Sequence, residues 1–296
     1  MKALVIVNPN SGKKGRGISA SEICAAFGER GVECRAYATK ASGDAERITR
    51  KLAGHCDLLI CSGGDGTLSE IVNGLYGLKG TPPIIYFPTG TTNDFARSMG
   101  LSFDPKQALN DALTGRKTQL DVGRMNGRCF IYSAVFGAFV KSSYSTPRQM
   151  KEYLGKLAYY IECVRELPAI KPCHMRIVDD AGHVREGDYL FGAISNATSI
   201  GAFLHYPSAL VDFADGRHEV LLIRHPEDPV EFICTLRSVI SGDLSANGIE
   251  LFHTSKLYIE CDRVPDWSLD GEQFDSGSQI AVENLPAAVT FVLPPK

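Results

Sequence analysis

Cys61-Ser62-Gly63-Gly64-Asp65-Gly66-Thr67-Leu68-Ser69-Glu70 decides how the amino-terminal half of this chain is read. The apolar run from Asp57 to Cys61 leads into it as a buried strand, and the pattern from Glu70 to Leu75 leads out as a helix. Three glycines at a strand-to-helix turn let the backbone approach a ligand closely and adopt positive φ without a Cβ clash. The amides of such a turn, with the positive end of the following helix, make an anion site, and a phosphate is the expected guest. Asp65 stands where it can act on a metal beside that phosphate. A tight turn with no ligand would use the same residues, so the neighbouring segments have to decide.

They repeat the arrangement. Lys2 to Asn8 reads as a buried strand, followed by the turn Asn8-Pro9-Asn10-Ser11-Gly12 and a helix from Ile18 to Arg30. That turn lacks the G-x-x-x-x-G-K-[ST] spacing of a Walker A loop. Gly31 to Thr39 alternates as a strand, and Ser42, Asp44 and Glu46 open a helix that runs to Ala53. The strand Pro82 to Phe87 delivers Pro88-Thr89-Gly90-Thr91-Thr92-Asn93-Asp94-Phe95, and a helix from Lys106 to Leu113 stops at Gly115. This alternation predicts an α/β domain with a doubly wound, mainly parallel sheet. All three turns then fall at carboxyl ends of strands, where such sheets bind ligands.

Past Lys117 the pattern changes. Thr118–Arg124 and Arg128–Phe136 read as strands joined at Met125-Asn126-Gly127, and Pro147 to Leu167 as one amphipathic helix. Short strands follow at His174–Val178, Tyr189–Ser195, Glu219–Ile223, Lys256–Cys261 and Ala288–Leu293, with one helix from Asp228 to Ile240. The expectation is a β-rich, sandwich-like carboxyl-terminal domain. The division falls at 1–125 and 126–296, with the last strand free to return to the first domain.

Composition narrows the classes. The 296 residues suit two domains, and 44% apolar with 22% charged residues is ordinary for a soluble protein. A net charge of -3 argues against a general polyanion binder, so no nucleic acid is expected. Nine cysteines without C-x-x-C spacing read as reduced thiols of a cytoplasmic protein. No run reaches the roughly 20 apolar residues of a membrane span, so no transmembrane segment is expected. No G-x-S-x-G elbow marks a serine hydrolase.

Asn8-Pro9-Asn10-Ser11-Gly12, the stretch Gly63 to Glu70, the turn Pro88 to Phe95 and Asp270-Gly271-Glu272 occur in this order and at these separations. Together they resemble the diacylglycerol kinase catalytic-domain family, of the soluble bacterial lipid kinase type, over nearly the whole chain. NAD kinases and phosphofructokinases share a Gly-Gly-Asp-Gly turn without the later motifs. The resemblance implies ATP and Mg2+ as cofactors. It implies nucleotide contacts at Asn8, Pro9, Asn10, Ser11, Gly12, Thr39, Gly64, Asp65, Gly66, Thr67, Leu68, Ser69, Glu70 and Thr91. The acids Asp65, Asp94 and Asp121 would organise the metal and its waters, as hard oxygens suit Mg2+. Glu272 would be the general base, with Asp270 supporting it.

The same resemblance implies a structural metal held by Asp212, Asp215 and Arg217. This chain has Asp215-Gly216-Arg217-His218-Glu219 where relatives commonly run Asp-Gly-Lys-Leu-Asp. Phe139 stands where many relatives carry an aspartate. The expected activity is transfer of the γ-phosphate of Mg-ATP to the hydroxyl of diacylglycerol or a related lipid alcohol. Two alternatives stay open: a kinase with a soluble acceptor such as NAD, and a nucleotide- or lipid-binding regulator without turnover. The lipid would be met at a membrane surface, peripherally at the inner face, with Phe203, Leu204, Tyr206 and Leu210 as an apolar entry. A homodimer also stays open.

Overall fold

The structure, a computed structural model, describes residues 1–11, 18–137, 172–200 and 204–295. Gly12, Phe139, Phe203 and the helix expected over Pro147 to Leu167 lie outside the described residues. In the amino-terminal half, β1 (Lys2–Val7), β2 (Glu33–Ala38), β3 (Leu58–Gly63) and β4 (Ile84–Pro88) pair in parallel in the order β2-β1-β3-β4. Between and after them run α1 (Ala20–Gly28), α2 (Asp44–Leu52), α3 (Asp65–Leu75), the short α4 (Asp94–Ser98) and α5 (Pro105–Thr114).

Side chains alternate across a strand, so each strand feeds two cores. Leu4 and Ile6 pack with Ile48 of α2, Leu68 of α3 and Phe95 of α4, while Ala3 and Val5 pack with Ile23 and Phe27 of α1. The sheet is therefore wound on both faces, as its sequence pattern predicts. Helix starts follow local chemistry too. Ser19 and Glu22 form a capping box before α1, and Asp104 accepts the Gln107 N–H at the start of α5.

The carboxyl-terminal half is built from β5 (Arg116–Met125), β6 (Arg128–Phe130), β7 (Ser133–Gly137), β8 (Cys173–Asp179), β9 (Val184–Ser195), β10 (Ser199–Ile200), β11 (Leu204–His205) and β12 (His218–Arg224). It continues through α6 (Pro229–Ser241), β13 (Ile249–Thr254), β14 (Lys256–Cys261), β15 (Trp267–Leu269), β16 (Glu272–Phe274) and β17 (Gln279–Leu293). Neighbouring positions on β12 face opposite layers. Leu222 joins a core with Trp267 and Phe136, and Leu221 joins one with Phe232 and Leu236 of α6. Leu204 and Tyr206, expected at an apolar entry, are core residues of that second layer.

Two other expectations are corrected. The last strand begins nine positions before Ala288, at Gln279, against β14; it runs to Leu293 as expected, with Phe291 beside Ile84 of β4. The register shift between Leu285 and Val289 makes room for Pro286, since a bulge residue needs no ladder N–H. The strand expected over Arg128–Phe136 is broken at Ile131 and Tyr132, because the amides of Ile131, Tyr132 and Ser133 turn to the Asp270 carboxylate.

Phe291 is fully buried and its ring meets Phe95 at 4.8 Å between centroids, so β17 clamps the first core. Phe291→Ala is expected to cost about 3–5 kcal/mol of stability, read by urea denaturation. His218 and Glu219 are adjacent and buried, and among the described residues their side chains have no hydrogen-bond partner. Burial pushes the His218 imidazole down to about 4 and the Glu219 carboxyl up to about 8. The Glu219 contribution to stability is present in acid and lost as pH rises toward 8; that of His218 is lost as pH falls toward 4. Glu219→Gln should therefore raise Tm above pH 8 and leave it unchanged in acid, as measured by thermal denaturation across pH.

Candidate active site

The parallel strands end along one edge, and a cleft of about 430 Å³ opens there. Asn8, Asn10 and Ser11 line it after β1, Thr39 to Ser42 after β2, and Gly64, Gly66, Thr67 and Glu70 at the start of α3. Gly90 and Thr91 come from the turn after β4, and Glu272 comes from the carboxyl-terminal half. Hydrogen bonds tie these turns together. The Asn8 amide side chain donates to Thr67 Oγ1 at 3.1 Å, the Thr89 N–H donates to the Gly63 carbonyl at 2.8 Å, and Ser11 and Thr89 hydroxyls meet at 2.5 Å.

The glycines earn their place by close approach, not by positive φ. Gly64 has φ −93, and neither Gly63 nor Gly66 is left-handed. A Cβ on Gly90 would lie 2.6 Å from the Gly64 Cα, backbone against backbone. A Cβ on Gly66 would lie 2.9 Å from Glu272 Oε1. The exposed Glu272 side chain therefore rests on the first turn of α3. No side chain caps that turn, so its amides and positive end face the cleft.

Asp65 and Asp94 are brought together. Asp65 Oδ2 accepts the Asp94 N–H at 2.9 Å, while its buried Oδ1 has no partner among the described residues. Burial pushes the Asp65 carboxyl up to about 7, and the charges of Asp94 and Asp270 push the same way against the Asp94 amide. An orphaned, desolvated carboxylate oxygen fits a cation. Among the described residues no group of three or more His, Cys, Asp or Glu forms a metal cage. Mg2+ shared between one or two carboxylates and a bound polyphosphate requires none.

Other expected site residues sit elsewhere. Leu68 belongs to the first core, and the Ser69 hydroxyl serves Asp270. Buried Asp121 accepts the Gly216 N–H at 2.7 Å and the Ala287 N–H at 2.8 Å, so it fastens the 212–217 turn to β17 and does not line the cleft. Within that turn Asp212 accepts the Ala214 N–H and Asp215 the Arg217 N–H, while the Arg217 carbonyl accepts the Asn284 amide. Asp270 is buried at φ +49, with its carboxylate receiving the amides of Ile131, Tyr132 and Ser133. Burial pushes it up to about 6 despite those amides. Lys40 and Ala41 line the cleft without having been singled out in the sequence; Ser42 was read only as a helix opener and Gly90 only as part of the third turn. Their positions directly after β2 and β4 were the available signal.

Sequence comparison agrees with this geometry. The profile of the diacylglycerol kinase catalytic domain matches residues 2–125, and that of the YegS C-terminal NAD kinase beta sandwich-like domain matches residues 136–293. A diacylglycerol kinase of Bacillus subtilis (strain 168) is 30% identical over 276 residues, 92% of this chain and 89% of the relative. The chain belongs to the diacylglycerol kinase catalytic-domain family. A crystal structure of a provisionally named diacylglycerol kinase from Bacillus anthracis str. Sterne is 26% identical with a TM-score of 0.80, covering 99% of this chain and 97% of that one. An NAD kinase from Archaeoglobus fulgidus in complex with ATP has a TM-score of 0.55 at 16% identity, covering 99% of this chain and 93% of that one. The second likeness shows a shared fold. Membership in the diacylglycerol kinase family makes the chain a phosphotransferase of the kinase type.

Gly90→Ala tests the turn-on-turn packing. The added methyl meets main chain, so both turns must shift. Nucleotide binding should weaken by about tenfold or more while the far β-rich half keeps its stability, checked by calorimetric titration and by thermal denaturation.

Proposed function

We propose that this protein transfers the γ-phosphoryl group of Mg-ATP to the hydroxyl of diacylglycerol or a related lipid alcohol. The observation that carries the reading is Glu272 resting on Gly66, at the uncapped amino terminus of α3. A polyphosphate drawn to those amides would lie beside a carboxylate that belongs to the other half of the molecule. Phosphoryl transfer asks for little else than positioning, charge neutralisation and removal of a hydroxyl proton.

In this reading the amides of Gly66 and Thr67 donate to phosphate oxygens, and the Asn8, Ser11 and Thr91 side chains orient the chain of phosphates. Asp65, with Asp94 beside it, would hold the magnesium ion, which when bound neutralises β- and γ-oxygens. Glu272 accepts the proton from the attacking hydroxyl. Asp270 does not touch substrate; it holds the turn that carries Glu272. Asp212, Asp215 and the Arg217 carbonyl are the proposed structural-metal turn, fastened from below by Asp121. The lipid acceptor is supported by the Bacillus subtilis relative's name, whereas the NAD kinase likeness carries fold alone. No described helix is long and apolar enough to cross a membrane, so a lipid would be met from the surface.

The test is transfer from labelled ATP with diacylglycerol vesicles and NAD as rival acceptors. Glu272→Gln should lower kcat by about 10²–10⁴-fold with ATP binding nearly unchanged. Turnover at the wild-type rate would remove Glu272 as the base, and phosphorylation of NAD alone would remove the lipid. Asp65→Asn should raise the Mg2+ concentration needed for half-maximal activity, and an unaltered Mg2+ dependence would sink its metal role.

A further inference from the structure

Two helix amino termini border the cleft, and the protein treats them differently. The first turn of α3 is left open. That of α2 is closed by a carboxylate from another helix. Glu70, on α3, accepts the Gly43 N–H at 2.8 Å and the Ser42 hydroxyl at 3.3 Å through Oε1, and the Ala45 N–H at 3.0 Å through Oε2. Gly43, the residue before α2, sits at φ +83 and has no side chain with which to cap its own helix. Glu70 thus does for α2 what an aspartate or serine would do at the cap position, and its charge suits the positive end of that helix.

The segment just before α2 is pinned by a second carboxylate. Asp44 Oδ2 accepts the Lys40 N–H at 2.8 Å and the Ala41 N–H at 3.2 Å. Thr39 to Ser42 are the cleft wall on the β2 side. The Lys40 and Ala41 amides are thus spent on Asp44, and that of Thr39 on the Val7 carbonyl at 2.9 Å. In the kinase reading the uncapped first turn of α3 takes the phosphates, which leaves the sugar and base to this wall.

Resting on the kinase reading above, we infer that Glu70 is a positioning residue: its carboxylate holds the 39–43 wall against α3 so that the nucleoside end of the donor meets a preset surface. Without it, the α2 amides lose their partner and the wall must be ordered each time a nucleotide binds, a cost that falls on affinity. The Glu70 oxygens are held by the start of α2, whereas Glu272 rests on Gly66, so the chemical step is not touched. Glu70 was expected to contact the nucleotide; it lines the cleft while its oxygens hold the Gly43 and Ala45 amides and the Ser42 hydroxyl.

The test compares wild type, Glu70→Ala and Glu70→Gln in steady-state kinetics with ATP varied, in equilibrium binding of a fluorescent ATP analogue, and in amide hydrogen exchange. For Glu70→Ala, KM for ATP and the analogue Kd should rise by about tenfold, with faster exchange at Gly43 and Ala45. Its kcat at saturating ATP should stay within about twofold of wild type. Glu70→Gln keeps one acceptor oxygen and should fall between, and it carries the same comparison should the alanine variant not fold. Unchanged KM and Kd with unprotected Gly43 and Ala45 would overturn the inference, as would a fall in kcat at constant KM. A wild type that binds no ATP analogue would overturn the donor-site reading itself, and the inference with it.

Discussion

The Asp270 carboxylate, buried and bonded to the amides of Ile131, Tyr132 and Ser133, is the constraint on which the candidate site depends. It works in both directions. It interrupts the strand that would otherwise run from β6 into β7, and it anchors the turn between β15 and β16 at a left-handed residue. The Asp270 N–H returns a bond to the Ser133 carbonyl at 2.8 Å, so the two segments cannot slide independently. Glu272 lies two residues beyond. Its place over Gly66 is set by this junction together with the β15–β16 pairing, which puts Glu272 opposite Leu269.

The same device recurs around the cleft. Asp65 receives the Asp94 amide, Glu70 those of Gly43 and Ala45, Asp44 those of Lys40 and Ala41, and Asp121 those of Gly216 and Ala287. A hydrogen bond to a charged group contributes about 1.5–3 kcal/mol, and leaving a buried amide without one costs a similar amount. Carboxylates thus replace regular secondary structure where turns must hold an open cavity. Asp65 and Asp270 show the other side of this. Burial outweighs the amides they receive, and both carboxyls are pushed up toward neutrality. Asp65, with one oxygen unpartnered, is the one that a cation would relieve.

The α/β sheet, the positions of the three turns and the β-rich second half were legible in the sequence because periodicity and glycine placement are local signals. What was not legible came from contacts made at a distance. The break at Ile131 depends on an acid far along the chain. The full length of β17 depends on a bulge that accommodates Pro286. Asp121 looked like a metal acid because carboxylate is all a sequence shows; its amide partners come from the 212–217 turn and β17. Leu68 and Ser69 lie within the motif yet face the core and Asp270, because consecutive residues of a helix point in different directions.

These contacts also explain why the two halves act as one unit. β17 starts in the antiparallel half beside β14 and finishes in parallel with β4, so a single strand carries register from one core to the other. Asp270 joins the halves a second time, through the Ser69 hydroxyl of α3, and the Asn73 side chain of α3 a third, by exchanging bonds with the Cys129 main chain of β6. A cleft lined from both halves needs this redundancy. A shift of 1 Å between a phosphate site on α3 and a carboxylate on the β15–β16 turn would separate groups that must meet at hydrogen-bond distance. The nucleotide-side wall, by contrast, is built within the first half, by Glu70 and Asp44. In the proposed reaction, donor placement and acceptor activation are thus held by different carboxylates, and Gly66, with no side chain of its own, is what lets Glu272 close on α3.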